Sequence, residues 1–207
     1  MRLILLFPLI LLAGCETVGG MADGPDLSSR FVRKCGESVA LSGRISMHYT
    51  FSQNDRVESL HGKFTWRQKG DVILIRLFSP LGQTVAVIEV TPQQAVFIAS
   101  GKPPVSAANA DELVFRQLGW PLPVSGLRHW LQGCATGPDG TFFQASPARP
   151  ETMTQDGWHL HYVSWTPLGE SKLVPRRIDL SHTPSATADV SAIHIRLLAD
   201  ELETGNP

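Results

Sequence analysis

Cys15 is the side chain in this sequence best placed to do chemistry. It stands behind Leu12-Ala13-Gly14, which close an apolar run that begins at Leu3 and follows Arg2. A run of about ten residues is too short to span a bilayer and has the length of a secretory h-region. A cysteine there offers a sulfur nucleophile at a processing point. The other two cysteines, Cys35 and Cys134, have no zinc-ligand spacing. His159 and His161 share one face of a strand, but no third metal ligand is spaced to join them, so they read as surface histidines. There is no Gly-x-Ser-x-Gly elbow and no Gly-rich phosphate loop. The expectation is a non-enzyme without metal or cofactor, whose reactive position is Cys15.

Small residues directly before a cysteine, in place of an Ala-x-Ala cleavage site, resemble a bacterial lipobox. That resemblance implies that Cys15 becomes the mature N-terminus and is lipidated on its sulfur and its amine. Each buried CH₂ adds ~0.8 kcal/mol, and two acyl chains already anchor a protein stably. A bacterial lipoprotein carries three, so the anchor is effectively permanent and the chain faces the periplasm. Glu16 follows the cysteine where an aspartate would favour retention in the inner membrane, which points to the outer membrane. In that oxidising compartment a Cys35–Cys134 disulfide is allowed, and a pair of buried thiols fits equally well.

Removing residues 1–14 from the 207-residue chain leaves 193, enough for one domain with a sizeable core. Lys and Arg number 18 against 19 Asp and Glu, with no basic block, so nucleic acid is not an expected partner. No second apolar stretch is long enough to span a membrane. Charged residues make up only 18% of the chain and hydrophobic ones 43%, which suggests more apolar surface than one core needs.

The elements that must carry these features follow from periodicity. Residues 15–26 are Gly-rich and polar and read as a lipidated start and flexible tether. The spacing of Leu27, Phe31, Val32 and Cys35 predicts a short helix over 27–38. Strict alternation from Leu41 to Ser52 predicts a long strand, roughly 40 Å, that must twist or curve. A second alternating strand runs from Leu60 to Arg67. Val72–Phe78, Thr84–Val90 and Gln94–Ala99 read as three more. Ser79-Pro80-Leu81-Gly82 fits a type I turn. The period then changes. Ser106 is the expected cap of a helix from Ala107 to Leu118 that Gly119 ends. A second helix is expected over Ser125–Gln132, closed by Gly133. Strands return at Trp158–Trp165, Leu173–Ser181 and Val190–Leu198, with residues 201–207 as a frayed tail. The sum is a mainly β fold, a curved antiparallel sheet covered by short helices around an apolar cavity.

Against that reading, several segments carry a specific resemblance. They are Phe64-x-Trp66-Arg67-Gln68, Ser79-Pro80-Leu81-Gly82, Leu118-Gly119-Trp120-Pro121-Leu122-Pro123-Val124 and Leu127-Arg128-x-Trp130-Leu131-x-Gly133. In this order and spacing, with Gln155-Asp156-Gly157-Trp158, Pro175-x-Arg177-Ile178 and the lipobox, they resemble the LolB family over roughly residues 26–200. The resemblance implies an unclosed antiparallel β half-barrel over residues 27–200, with a lid of short helices. It implies a monomeric receptor that accepts lipoproteins from a LolA-like periplasmic carrier and places them in the inner leaflet of the outer membrane. Its partners are then the carrier, lipoprotein acyl chains and outer-membrane phospholipid, and no cofactor is needed.

Acyl chains have no directional bonds to satisfy, so a groove of flexible and aromatic side chains suits them. The candidates are Ile45, Met47, Tyr49, Phe64 and Trp66 on the sheet and Leu113, Leu118, Leu127, Trp130 and Leu131 on the lid. The same residues also fit a packed core. Leu81 is the sharpest single residue, because turn tips are normally polar. In LolB proteins a protruding loop with an apolar tip at the matching position helps insert lipoproteins, which implies that role for Pro80, Leu81 and Gly82. Arg128, Arg176 and Arg177 are candidates for meeting an acidic carrier or for simple solvation. A lipid-binding or structural lipoprotein that never transfers its ligand would use the same cavity.

Overall fold

Alternation decides which way each strand faces. In the computed structural model, which describes residues 35, 38–168, 172–184 and 190–202, Leu41, Ile45, Met47 and Tyr49 are buried on one face of β1 (Val39–Phe51). Arg44 and His48 are exposed on the other. β2 (Val57–Lys69) repeats the pattern with Phe64, Trp66 and Gln68 inward. β3 (Val72–Phe78), β4 (Thr84–Val90) and β5 (Ala95–Ala99) follow as a meander, and β6 (Val105–Ala107) ends it.

The chain then crosses the apolar face through α1 (Ala110–Leu118), α2 (Val124–Trp130) and a small pair, β7 (Cys134–Thr136) with β8 (Phe142–Gln144). It rejoins the sheet at the opposite edge with β9 (Glu151–Met153), then β10 (Trp158–Leu168), β11 (Lys172–His182) and β12 (Val190–Leu202). The ten-stranded sheet has the order β6-β5-β4-β3-β2-β1-β12-β11-β10-β9, with every neighbour antiparallel. Its two edges, β6 and β9, do not pair with each other, so the sheet is curved and unclosed. The expected half-barrel under short helices is the fold observed.

Curvature has a visible device at the centre. The β1–β12 register slips between Ser42 and Gly43. A Cβ at Gly43 would lie 2.3 Å from the Leu198 carbonyl oxygen, so only glycine permits that approach.

Several boundaries differ from the sequence expectation. Ser106 does not cap a helix; it pairs with Val96 in β6. The cap is Asn109, whose side chain accepts from the Glu112 N–H at 2.9 Å, and α1 begins at Ala110. A cap three residues farther on frees Val105–Ala107 to satisfy the edge of β5. Gly119 does end α1, with φ 77° and its N–H on the Phe115 carbonyl. α2 starts one residue earlier and ends two residues sooner than Ser125–Gln132. The loop after Gly133 contains β7, β8 and β9, which no periodicity announced. β12 continues to Leu202, so the strand reaches past the expected start of the tail. The helix expected over 27–38 lies outside the described residues except for Cys35 and Ser38, as does most of the tail. Cys35 and Cys134 form a disulfide, with Cα atoms 6.2 Å apart.

Candidate functional site

The site is built where the helices meet the apolar face of the sheet. Ile45 of β1, Phe64 and Trp66 of β2, Ile75 and Leu77 of β3 and Leu197 of β12 point inward. Leu122, Leu127 and Leu131 close on them from the helical side. The accessible space between them is about 10 Å³, room for about one water-sized group, so no acyl chain fits between sheet and helices as they stand. Trp66 is oriented by its indole N–H, which donates to the Gln68 side chain at 3.2 Å. The Gln68 amide in turn donates to the Gly70 carbonyl at 3.3 Å. Those two bonds satisfy polar groups inside an otherwise apolar wall.

Of the candidate cavity residues, Ile45, Phe64, Trp66, Leu127 and Leu131 share this interior. Met47 and Tyr49 are buried farther along β1. The Tyr49 hydroxyl donates to Glu58 at 2.5 Å, and its ring stands edge-on to Phe51 at 5.4 Å. Burial first, and Glu58 second, push the Tyr49 phenol up to about 12. Leu113 is buried under α1, while Leu118 is only half-buried. Trp130 is turned away from the shared interior toward Trp158, 5.8 Å away, and Trp158 stacks on His182 at 4.9 Å. Ile75, Leu77, Leu122 and Leu197 were not singled out from the sequence. The two in β3 were hidden because that strand is apolar on both faces, and Leu122 sits in a Pro-x-Pro break without periodic neighbours.

A second apolar space lies outside the first. It is an open groove of about 500 Å³ lined by Phe115, Pro121, Pro123, Trp158, Ile193 and again Leu122. Phe115 belongs to this groove and is 46% exposed. Leu122 lines both the groove and the interior.

The turn after β3 is fixed by its own backbone. The Gly82 N–H donates to the Ser79 carbonyl at 2.9 Å and the Ser79 N–H to the Gln83 carbonyl at 2.8 Å. Gly82 adopts φ 85°, which glycine tolerates and other residues rarely do. Pro80, Leu81 and Gly82 are all exposed, Leu81 to 89%. By strand direction this turn points the same way as the β1–β2 turn, but it leaves β3 at Phe78, whose row runs through Lys63 to Arg44, midway along β1 and short of the end that carries the β1–β2 turn. Tyr49 pairs with Ile193 near that end, and Trp158 pairs with His182 beside it. The open groove lies at that end, farther along the strands than the start of the Leu81 turn.

Arg128 donates to Asp71, and Arg177 to Asp179, so neither is simply solvated; Arg176 is exposed. Among the described residues, no group of three His, Cys, Asp or Glu is placed to hold a metal ion. No helix among them is long and apolar enough to cross a membrane. Cys15 lies outside the described residues.

A family model described as "Outer membrane lipoprotein LolB" matches residues 37–201. The outer-membrane lipoprotein LolB of Ralstonia nicotianae is 35% identical over 202 residues, covering 92% of this chain and 91% of that protein. The protein of the same name from Nitrosococcus oceani is 32% identical over 209 residues, covering 98% of this chain and 96% of its own. Among solved structures, a LolA superfamily protein from Nitrosomonas europaea superposes with a TM-score of 0.47 at 9% identity, over 87% of this chain and 93% of that one.

Proposed function

The chain belongs to the LolB family, and from that premise we propose that it is an outer-membrane receptor for lipoproteins. It takes them from a LolA-like periplasmic carrier and inserts them into the inner leaflet of the outer membrane. Residues 1–14 are removed, Cys15 carries the lipid anchor, and residues 15–26 tether the domain on the periplasmic face as a monomer. No step in this reading is catalytic.

An acylated protein in water exposes CH₂ groups that each cost ~0.8 kcal/mol, so it needs an apolar host between membranes. Transfer without a nucleotide runs downhill, from carrier to receptor to bilayer. The closed interior of about 10 Å³ means that acyl chains enter only as the helices part from the sheet. The open groove is the first apolar surface that an incoming chain meets, and displacement of Leu122 joins it to the interior. One observation carries the reading. Leu81 stands 89% exposed on a backbone-locked turn, which supports a role for this apolar tip in entering a bilayer as the lipid leaves.

The test is a transfer assay. A soluble Cys15→Ala form is mixed with a carrier preloaded with lipoprotein, with and without liposomes. Movement onto this protein and then into liposomes is the expected result. No movement from a competent carrier would leave a lipid-binding or structural lipoprotein as the better reading.

A further inference from the structure

Five of the seven histidines lie on the outer, polar face of the sheet. Cross-strand register sets them in two adjacent rows. One row reads His61, Ser46, Arg196, Asp179, His161 across β2, β1, β12, β11 and β10. The next reads Ser59, His48, His194, Ser181, His159 across the same strands. The small serines set between longer side chains leave a hollow of about 340 Å³. Its wall carries the imidazoles of His48, His194, His159 and His161, the hydroxyls of Ser46 and Ser181, and the Arg196 guanidinium.

The hollow holds one carboxylate, Asp179, and that charge is already matched. Arg177 donates to it at 2.6 Å and Arg196 at 3.2 Å. Around the rim, Glu151 on β9 lies 3.5 Å from both His159 and His161, and Arg44 pairs with Asp200 at 2.8 Å. Lys63 adds a further cation beside His61 on β2. Imidazoles are the side chains that ordinarily gain charge between about pH 8 and pH 5. A protonated imidazole carries a charge and two N–H donors, which in this wall would stand beside hydroxyl donors and a guanidinium. That combination recognises a phosphate.

We propose that this hollow binds a phosphate-bearing anion in an acid-dependent manner, and that its occupant is the headgroup of an anionic phospholipid. Along the strands the rows run level with the start of the Leu81 turn, and His61, which does not itself line the hollow, is their member nearest to it. His61 is two residues from Lys63, and Lys63 pairs with Phe78, the last strand residue before the Leu81 turn. A bilayer that receives Leu81 presents its headgroups at this level. The anion site rests on the side chains alone, whereas the headgroup as occupant rests on the membrane reading of Leu81.

The test uses the soluble Cys15→Ala protein and follows its histidine ring signals by NMR. Inorganic phosphate is titrated at about pH 5.5 and about pH 7.5, against chloride at equal ionic strength. Saturable shifts of His48, His159, His161 and His194 are expected at the lower pH, with affinity falling about tenfold or more at the higher. His129, on α2, serves as the internal control. His159→Gln with His194→Gln, and separately Ser181→Leu to fill the hollow, should each abolish saturation. Vesicles of phosphatidylglycerol should retain the protein at the lower pH and vesicles of phosphatidylcholine should not. Shifts equal in chloride, or unchanged in both variants, overturn the site. Phosphate binding without preference for phosphatidylglycerol overturns the headgroup as occupant. Leu81→Glu should leave phosphate binding intact, which separates this site from the insertion turn.

Discussion

Asp111 caps a helix that is not its own. From the first turn of α1, its carboxylate accepts the Ser125 backbone N–H at 2.9 Å and also the Ser125 hydroxyl. Ser125 is in the first turn of α2, whose N-cap, Pro123, supplies no side-chain bond. One carboxylate thus serves the positive ends of both helices and ties them into a single cover.

Asp111→Ala should cost about 1 kcal/mol, the usual value of a lost cap. Hydrogen exchange should speed up in α2 more than in β1 or β2. The same variant should admit a fluorescent fatty acid faster, because the two helices then move separately. Unchanged exchange in α2 would mean that the clasp does not restrain the cover.

The Cys35–Cys134 disulfide closes a loop with a sequence separation of 99, from before β1 to the residue after the turn that ends α2. Replacing both cysteines with serine should lower stability by about 2–4 kcal/mol. Denaturant melts with and without reductant check this. Reductant should destabilise the native protein and leave the double-serine form unmoved.

Tyr49 and Glu58 give a pH dependence whose sign is fixed. The hydrogen bond from Tyr49, joined by Arg56 and opposed by partial burial, holds the Glu58 carboxyl below its ordinary range. A carboxyl lowered in the folded state stabilises above its unfolded value, about 4.3, and loses that contribution as pH falls through the folded value. Tyr49→Phe should therefore reduce the melting midpoint by a few degrees near neutral pH, with the gap to the native protein narrowing below about pH 4. Thermal melts over that range measure it. On the alkaline side the raised phenol contributes below about pH 10 and loses its effect as pH rises toward about 12.

How much of this was legible in the sequence depends on how far each feature reaches along the chain. β1 and β2 declare themselves through period-2 alternation, β3 and β4 as apolar runs between turns, and Ser79–Gly82 through local turn chemistry, and the structure has them within a few residues. The three-residue strands β6 to β9 are too short to show a period; backbone pairing with distant partners makes them. Both Ser106 and Asn109 are plausible caps by type, and the choice is made by β5, which needs Val105–Ala107 as a partner. The candidate interior was legible where strand and helix spacing point, at Ile45, Phe64, Trp66, Leu127 and Leu131. Trp130 has the right spacing, yet Trp158, 28 residues later in sequence, draws it to the other side. The histidine rows were invisible because register across five strands, and no local pattern, assembles them.

Leu81→Glu should leave folding intact, since a change at a side chain 89% exposed stays within about 0.5 kcal/mol. Receipt of lipoprotein from the carrier should also be normal. Release into liposomes should slow about tenfold or more, because leucine insertion is worth roughly 1.5–3 kcal/mol and a glutamate must shed its hydration instead. Normal incorporation by this variant would remove Leu81 from the insertion step.

Leu122→Ala bears on the path between the two apolar spaces. Leu122 is buried and lines both the open groove of about 500 Å³ and the closed interior of about 10 Å³. Truncating it removes packing and leaves a void, at about 2–5 kcal/mol. If Leu122 only fills a core, that loss is the whole effect, and binding of an acyl probe does not improve. If it is the partition through which acyl chains pass, the variant is less stable yet takes up the probe faster, because the groove and interior are already joined. Stopped-flow uptake of a fluorescent fatty acid, read beside the denaturation midpoint, separates the two. Faster uptake with lower stability supports the path; slower or unchanged uptake means that acyl chains enter elsewhere along the rim of the sheet.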